Sequence, residues 1–236
     1  MKIKCVLFDI DDVLYDASLQ MSTARLNVIK AMIEAGLPTD VETTYRALQD
    51  VVKECGPDYN KHFDKLLERL GLKWNPRVIA AGVAAYRETS SAYLKPYADT
   101  FPTLLKLRET GYKIGVVSEG RAVKQWQKLI QLGIQHLFDC VITSEEIGAA
   151  TMKPELFKSV LKEFKVRPEE TIFIGHKLET DILCANKAKI VSVRIRKGEH
   201  RTEEPESIET SPKYEINKLS DVFRILKKIE KNDPEK

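Results

Sequence analysis

Long apolar runs and clustered cysteines are both missing from this chain. No stretch approaches the roughly 20 apolar residues that a membrane-spanning helix needs, and the N-terminus lacks a basic segment followed by a cleavable apolar one. Cys5, Cys55, Cys140 and Cys184 stand singly, without a Cys-x-x-Cys pair or a His at zinc-ligand spacing. We therefore expect a soluble, cytoplasmic protein with buried, reduced thiols.

An excess of either charge is also missing. The 38 Lys and Arg residues nearly balance the 35 Asp and Glu residues, the net charge is +3, and no basic block dominates any stretch. This balance argues against nucleic acid or a membrane surface as the main partner. With 236 residues, 43% of them hydrophobic, the chain has material for one large core and a smaller second unit.

Near the N-terminus, an apolar run ends in acidic residues. Cys5–Phe8 consists of β-forming residues without polar alternation, which is typical of a strand buried on both faces of a parallel sheet. Ligands bind at the carboxyl ends of strands in open α/β sheets, so Asp9 and Asp11 are predicted to project into one site. Two such carboxylates can divide the work, one as nucleophile or metal ligand and one as proton donor. Taken alone, the stretch also suits an ordinary acidic turn.

Between residues 17 and 93 the apolar periodicity is helical, and no strand pattern interrupts it. Four short amphipathic helices are predicted, the first with Ser22 as its N-cap. Gly and Pro residues mark the breaks between them, at Gly36 and Pro38, at Gly56-Pro57, and from Gly71 to Pro76. The pattern predicts a small helical bundle.

Strands and helices alternate after residue 94. Strand patterns lie at 113–117, 140–143, 171–175 and 190–195, and helical patterns at 122–132, 155–164 and 220–229. This alternation is typical of an α/β protein with a doubly wound parallel sheet and right-handed connections.

Polar residues follow these strands in a fixed order. They are Ser118-Glu119-Gly120, then Lys153-Pro154, then His176-Lys177-Leu178-Glu179-Thr180-Asp181. Preceded by Asp9-Ile10-Asp11-Asp12-Val13, the series resembles the four motifs of the haloacid dehalogenase-like (HAD) superfamily, over essentially the whole chain. The resemblance implies a Rossmann-like HAD core in residues 1–16 and 94–236, and a helical cap domain in residues 17–93 that covers the active site.

For function, the resemblance implies Mg²⁺-dependent hydrolysis of a small phosphate monoester through an aspartyl-phosphate. Asp9 would be the nucleophile, and Asp11 would protonate the leaving oxygen and then activate water. Mg²⁺ would lie on the Asp9 side chain and the Asp11 backbone carbonyl. The remaining catalytic residues would be Ser118 and Lys153, and the phosphate would be held by Ser118, Glu119, Gly120 and Lys153.

The chain departs from the family pattern at two positions. His176 stands where relatives usually carry the Asp that binds Mg²⁺ directly, whereas Asp181 matches the second acid of that motif. Asp181 is therefore an expected metal residue, with Glu179 or His176 as a substitute for the missing acid. Glu119 stands where many relatives have Asn or Asp, which affects the contacts beside Ser118.

Two other functions fit parts of the pattern. A 2-haloacid dehalogenase uses the same first Asp without a metal, but such relatives usually lack an acid at the position of Asp11. A retired hydrolase that only binds a phosphorylated ligand is favoured by His176 and opposed by the other motif residues. The expected partner is a small phosphorylated substrate. The sequence gives neither the identity of that substrate nor the oligomeric state of the protein.

Overall fold

The computed structural model describes residues 2–57 and 59–231, so the last five residues of the predicted core domain lie outside the described part. Six strands are present there: β1 (Cys5–Phe8), β2 (Lys113–Ser118), β3 (Cys140–Thr143), β4 (Thr171–Gly175), β5 (Val191–Ile195) and β6 (Tyr214–Ile216). The helices of the same residues are α1 (Ala17–Glu34), α2 (Val41–Cys55), α3 (His62–Arg69), α4 (Pro76–Tyr93), α5 (Thr100–Glu109), α6 (Ala122–Gln131), α7 (Pro154–Phe164), α8 (Leu183–Lys187) and α9 (Val222–Lys231).

All six strands form one parallel sheet in the order β3-β2-β1-β4-β5-β6. The order reverses between β1 and β4, which are hydrogen-bonded neighbours although most of the chain separates them. In such sheets a crevice opens at the carboxyl ends of the two strands where the order reverses. The predicted doubly wound α/β fold is confirmed, and its crevice lies directly after Phe8 and Gly175.

Both faces of β1 are buried. Val6 and Phe8 belong to an apolar layer with α5 and α9, whereas Cys5 and Leu7 belong to a second layer that includes Phe157 of α7. A strand covered on both sides has no solvent face, and this explains its unbroken apolar sequence.

The chain divides into two compact units, one of Met1–Ser18 with Leu94–Lys236 and one of Leu19–Tyr93. The second unit is helical and has its own apolar core, which includes Ile29, Met32, Leu48 and Leu66. Asp40 caps α2 by accepting the Thr43 N–H at 2.8 Å.

Two local expectations are wrong. Ser22 is not an N-cap, because α1 begins at Ala17 and the Ser22 hydroxyl donates to the Leu19 carbonyl inside the helix. Cys55 is exposed at the end of α2, whereas the other three cysteines are buried, and all four are free thiols. None of the helices in the described ranges is long and apolar enough to cross a membrane.

Candidate active site

Asp9 is the first residue after β1, and its side chain is buried. Its backbone N–H donates to the Ile174 carbonyl at 2.9 Å, which continues the β1–β4 pairing to the edge of the sheet. The Oδ1 atom of Asp9 accepts a 2.7 Å hydrogen bond from the hydroxyl of Ser118, the buried last residue of β2. The structure therefore brings the first two predicted motif residues into direct contact.

His176 and Asp181 lie on the other side of Asp9, after β4. His176 Nδ1 is 3.5 Å from Asp9 Oδ2 and 3.3 Å from Asp181 Oδ2, and both side chains are buried. Asp181 Oδ2 also accepts the backbone N–H groups of His176 and Lys177, at 2.8 and 3.0 Å. These two bonds close the turn after β4 and fix the Asp181 carboxylate beside Asp9.

The buried charges of this cluster shift one another's pKa values. Burial raises the pKa of Asp9, the negative charge of Asp181 raises it further, and His176 opposes both effects. Burial lowers the pKa of His176, but the nearby carboxylates of Asp181 and Asp9 outweigh this effect and raise that pKa to about 10. These carboxylates favour the protonated form of His176, which in turn stabilises the ionised form of Asp9.

Asp11 is half-buried and does not face Ser118. Both of its carboxylate oxygens accept hydrogen bonds from Lys128 Nζ, each at 2.7 Å, and Oδ1 also accepts the Tyr15 hydroxyl at 2.8 Å. Burial acts to raise the pKa of Asp11, but the charge and hydrogen bonds of Lys128, with Tyr15, hold it below its usual value. Sequence reasoning missed Lys128, which belongs to no motif and lies within α6.

Asp12 is a second residue that sequence reasoning passed over. It adopts a left-handed backbone conformation, with φ of 54°, and its buried carboxylate accepts the backbone N–H and hydroxyl of Ser18 at 2.9 and 2.6 Å. Its Oδ2 lies 3.8 Å from His176 Nε2, so the imidazole has carboxylates on both sides. The only signal in the sequence is the third acid of the run, and Asp is also an ordinary residue for a turn of this conformation.

Glu119 and Gly120 follow Ser118, and both make hydrogen bonds to other residues of the protein. The Glu119 carboxylate accepts the Met152 N–H at 3.1 Å, and the Gly120 N–H donates to the Ser144 hydroxyl at 2.9 Å. Glu119 therefore ties the end of β2 to the segment that leads into Lys153. The phosphate contacts predicted for Glu119 and Gly120 stay predictions.

Lys153 and Glu179 are the predicted residues that the structure does not place in the cluster. Both side chains are exposed, and neither makes a hydrogen bond or ion pair with another described residue. An exposed ammonium keeps its hydration. The roles predicted for Lys153 and Glu179 stay predictions. Lys177 is half-buried and is the lysine whose pKa the site changes. Burial lowers this pKa, but the charges of Asp9 and Asp181 outweigh burial and raise it.

One group of atoms in this site has the arrangement of a metal-binding cluster. Ligand atoms of Asp9, His176 and Asp181 all lie within 4.8 Å of one another. His176 Nδ1 is buried and makes no hydrogen bond to any described residue. The two carboxylates fit a divalent cation such as Mg²⁺. The imidazole nitrogen suits Mn²⁺, Co²⁺ or Ni²⁺ better, and it is a ligand only when His176 is neutral.

Comparison with known proteins identifies the family. Residues 6–195 match the model of the haloacid dehalogenase-like hydrolases. The glyceraldehyde 3-phosphate phosphatase of Methanopyrus kandleri is 47% identical over 98% of this chain and 100% of its own length. The Methanocaldococcus jannaschii protein of the same name is 39% identical over 98% and 100%. A solved HAD phosphatase from Thermococcus onnurineus superposes with a TM-score of 0.66 at 26% identity, covering 96% of this chain and 98% of that one. The chain therefore belongs to the haloacid dehalogenase-like hydrolase family.

Proposed function

We propose that the protein hydrolyses glyceraldehyde 3-phosphate to glyceraldehyde and inorganic phosphate, through a phosphoryl group carried on Asp9. The substrate is suggested by the relatives that bear this name over their full length. The observation that supports the chemistry is the Asp9 carboxylate itself. It is buried at the switch point of the sheet, one oxygen is hydrogen-bonded by Ser118, and the other faces His176.

In the first half-reaction, an Asp9 oxygen attacks phosphorus and the bond between phosphorus and the sugar oxygen breaks. The electron pair of that bond stays on the leaving oxygen, which takes a proton from Asp11. Asp11 holds this proton in the substrate complex, where the negative charge of the bound phosphate raises its pKa and opposes the effect of Lys128. The Ser118 hydroxyl holds Asp9 in a single orientation, which limits the freedom that the nucleophile must lose at reaction. The positive His176 and Lys177 offset part of the charge of the incoming dianion.

In the second half-reaction, water gives a proton to Asp11 and its oxygen attacks the phosphoryl group. The bond between phosphorus and Asp9 breaks, and inorganic phosphate leaves with Asp9 restored as a carboxylate. Asp11 enters this step as a carboxylate because it has just given up its proton, and Lys128 and Tyr15 stabilise that ionised form.

A divalent cation, which we propose to be Mg²⁺, would be held by the Asp9 and Asp181 carboxylates with His176 beside them, and by the Asp11 backbone carbonyl. When bound, it supplies positive charge that reduces the repulsion between the phosphate and Asp9. Asp181 is already fixed by two backbone N–H groups, so it needs little reorganisation to serve as a ligand. Glu179 is the weaker candidate, since its side chain is exposed.

We also propose the domain roles that the motifs imply. Residues 1–16 and 94–236 form the catalytic core domain, and residues 17–93 form a helical cap domain that selects the substrate. Every member of the buried cluster around Asp9 belongs to the proposed core domain.

The direct test is a comparison of phosphate release from glyceraldehyde 3-phosphate and from a panel of alternatives. The panel includes phosphoserine, pyrophosphate, sugar phosphates and p-nitrophenyl phosphate, each with EDTA, Mg²⁺ or Mn²⁺. We expect the highest kcat/KM for glyceraldehyde 3-phosphate and none of this activity in Asp9→Asn. A higher kcat/KM for another phosphate would overturn the proposal that glyceraldehyde 3-phosphate is the substrate. Chloride release from 2-chloropropionate would support the dehalogenase alternative.

A further inference from the structure

We propose that Lys128 is a positioning residue for the reaction, and that it acts through Asp11. Its ammonium lies 2.7 Å from both oxygens of the carboxylate to which the proposed function assigns proton transfer. The inference rests on that proposed function, because it concerns how Asp11 meets the leaving oxygen. Lys128 lies outside all four motifs and makes no direct contact with Asp9 among the described residues.

Helix α6 places this ammonium at the site. The helix starts at Ala122, shortly after Ser118 ends β2, and Lys128 is on its second turn. Helical side chains lean towards the N-terminus of their helix, so Lys128 extends back towards the carboxyl edge of the sheet. Gln125, one turn earlier, is buried and donates from Nε2 to the Glu119 carbonyl at 2.6 Å. The helix is thereby joined to the end of β2, and the position of the ammonium is set by packed elements.

The hydrogen bonds divide unequally between the two oxygens of Asp11. Oδ1 accepts from Lys128 and from the buried Tyr15 hydroxyl, whereas Oδ2 has Lys128 as its one donor among the residues that the structure describes. A carboxylate oxygen has two lone-pair sites, so Oδ1 is filled and Oδ2 keeps one for a further partner. We assign Oδ2 as the atom that meets the leaving oxygen, with Lys128 and Tyr15 fixing its direction.

The partial burial of the Lys128–Asp11 ion pair indicates that it contributes more to the reaction than to the stability of the fold. The side chains of Lys128 and Asp11 are 25% and 35% exposed, so solvent reaches both. Ion pairs that are open to solvent contribute little to folding stability. Loss of Lys128 should therefore appear in turnover, and above all with substrates whose leaving group needs a proton.

The test is a double-mutant cycle of Lys128→Met and Asp11→Asn on two substrates. p-Nitrophenyl phosphate has a leaving group that needs little protonation, and glyceraldehyde 3-phosphate has an alkoxide leaving group that needs much. We expect Lys128→Met to lower kcat/KM for the alkyl phosphate by about 10- to 100-fold, a part of the general-acid contribution, and far less for the aryl phosphate. In the Asp11→Asn background the same change should cause no further loss, since both residues act on one step.

Three further variants sharpen the result. Lys128→Arg keeps a bidentate cation and should recover part of the alkyl-phosphate rate. Lys162→Met removes an exposed lysine of α7 and should leave both rates unchanged. Should Lys128→Met fail to fold, Lys128→Gln gives the same comparison with a neutral side chain that still donates a hydrogen bond.

Additive losses in the cycle, equal losses on the two substrates, or no loss at all would overturn the role of Lys128. If p-nitrophenyl phosphate is hydrolysed and glyceraldehyde 3-phosphate is not, the proposed substrate fails. The cycle then runs on whichever alkyl phosphate of the panel is turned over, so the two proposals are judged separately.

Discussion

At the scale of single residues, Asp9 combines a reactive position with an unfavourable charge. Asp9→Asn should lower turnover by on the order of 10⁴-fold or more, because an amide is a poor nucleophile. The raised pKa of Asp9 shows that burial and Asp181 oppose its ionised form in the folded protein. The variant should therefore melt at a higher temperature than the parent, as expected when a strained catalytic charge is removed.

Both quantities are measured on the same preparations, turnover with p-nitrophenyl phosphate and melting by circular dichroism. Asp50→Asn, an exposed Asp on α2, is the control and should change neither. Parent-like turnover in Asp9→Asn would exclude Asp9 as the nucleophile.

His176 carries the second prediction, since it occupies the place of a carboxylate ligand. His176→Asp should tighten Mg²⁺, because it replaces an imidazole by a negative oxygen ligand in a site that already holds two carboxylates. Without metal the three carboxylates repel one another, so the variant should melt below the parent and regain stability as Mg²⁺ is added.

Calorimetric Mg²⁺ binding and the melting temperature across a Mg²⁺ series measure this without relying on activity. His176→Asn is the matched control, which removes the imidazole and its positive charge without adding a negative oxygen ligand. If His176→Asp binds Mg²⁺ no better than the parent, the fourth motif is misaligned and residue 176 does not face the metal.

The sequence predicted best which residues at or just after the strand ends lie close together. Asp9, Ser118, His176 and Asp181 meet because parallel strands in register bring their carboxyl ends to one edge, and this follows from period and topology. Lys128 and Asp12 were not foreseen, because their contacts depend on how α6 and the loop after β5 pack. The position of Lys153 was inferred from its place in the motif series, and the structure leaves its ammonium in solvent.

At the scale of elements, the loop after β5 is fitted closely against the first motif. Gly198 has a φ of 68°, and a Cβ atom there would lie 2.1 Å from Asp12 Oδ2. The next residue, Glu199, donates its backbone N–H to the Ser18 hydroxyl, which in turn bonds Asp12. The fully buried Arg194 holds the same loop by donating to the His200 and Glu203 carbonyls at 2.7 Å each.

Gly198→Ala therefore adds a collision to the cost of a left-handed backbone. Gly133, after α6, has nearly the same φ of 71° but open space around its Cβ position, so Gly133→Ala bears the backbone cost alone. We expect about 1 kcal/mol of destabilisation for Gly133→Ala and about 2–4 kcal/mol for Gly198→Ala, measured by urea denaturation. Equal losses for the two variants would mean that the loop gives way and does not hold Asp12.

At the scale of the whole molecule, the alternation of strand and helix and the resemblance of its four motifs to the HAD superfamily together predicted the doubly wound sheet and the helical insert. The prediction of a HAD phosphatase acting on a small phosphate monoester is confirmed by the relatives. The short β6 was not separated from the surrounding loop, because three residues are too few to show a period. The substrate was out of reach because it depends on side chains whose positions no local pattern fixes.

Global stability should depend on acid pH through Glu170, which joins the first and fourth strands. Glu170 accepts from Lys4 Nζ at 2.7 Å and from the Arg167 backbone and side chain, and these contacts lower its pKa to about 2. A carboxyl group with a depressed pKa stabilises the fold fully above its unfolded pKa, which is about 4.3. That contribution declines below about pH 4.3 and is gone once the pH falls below about 2.

Glu170→Gln tests this by urea denaturation of both proteins at several pH values. The parent should be the more stable protein from pH 5 to 8, and the difference should shrink as the pH falls towards 2. Glu169→Gln, at the exposed neighbouring position, should behave as the parent at every pH. A difference that does not change with pH would trace the effect of Glu170 to packing and not to its charge.

The division into two compact units predicts that the core folds without residues 19–93. The segments on either side of these residues run next to each other: Tyr15 and Pro96 form an antiparallel bridge, and the Leu14 carbonyl accepts from the Tyr97 N–H at 3.0 Å and the Thr100 hydroxyl at 2.8 Å. A short Gly-Ser linker can therefore close the gap at little entropic cost.

Each unit also has its own apolar core, so the excision removes one whole cluster and leaves the layers on both faces of the sheet intact. We expect the shortened chain to keep an α/β circular dichroism spectrum and to unfold in urea in one cooperative transition. It should still hydrolyse p-nitrophenyl phosphate but lose its preference for glyceraldehyde 3-phosphate over other alkyl phosphates. A shortened chain that aggregates or unfolds without cooperativity would show that residues 19–93 are part of the folding unit of the core and do not form a separate domain.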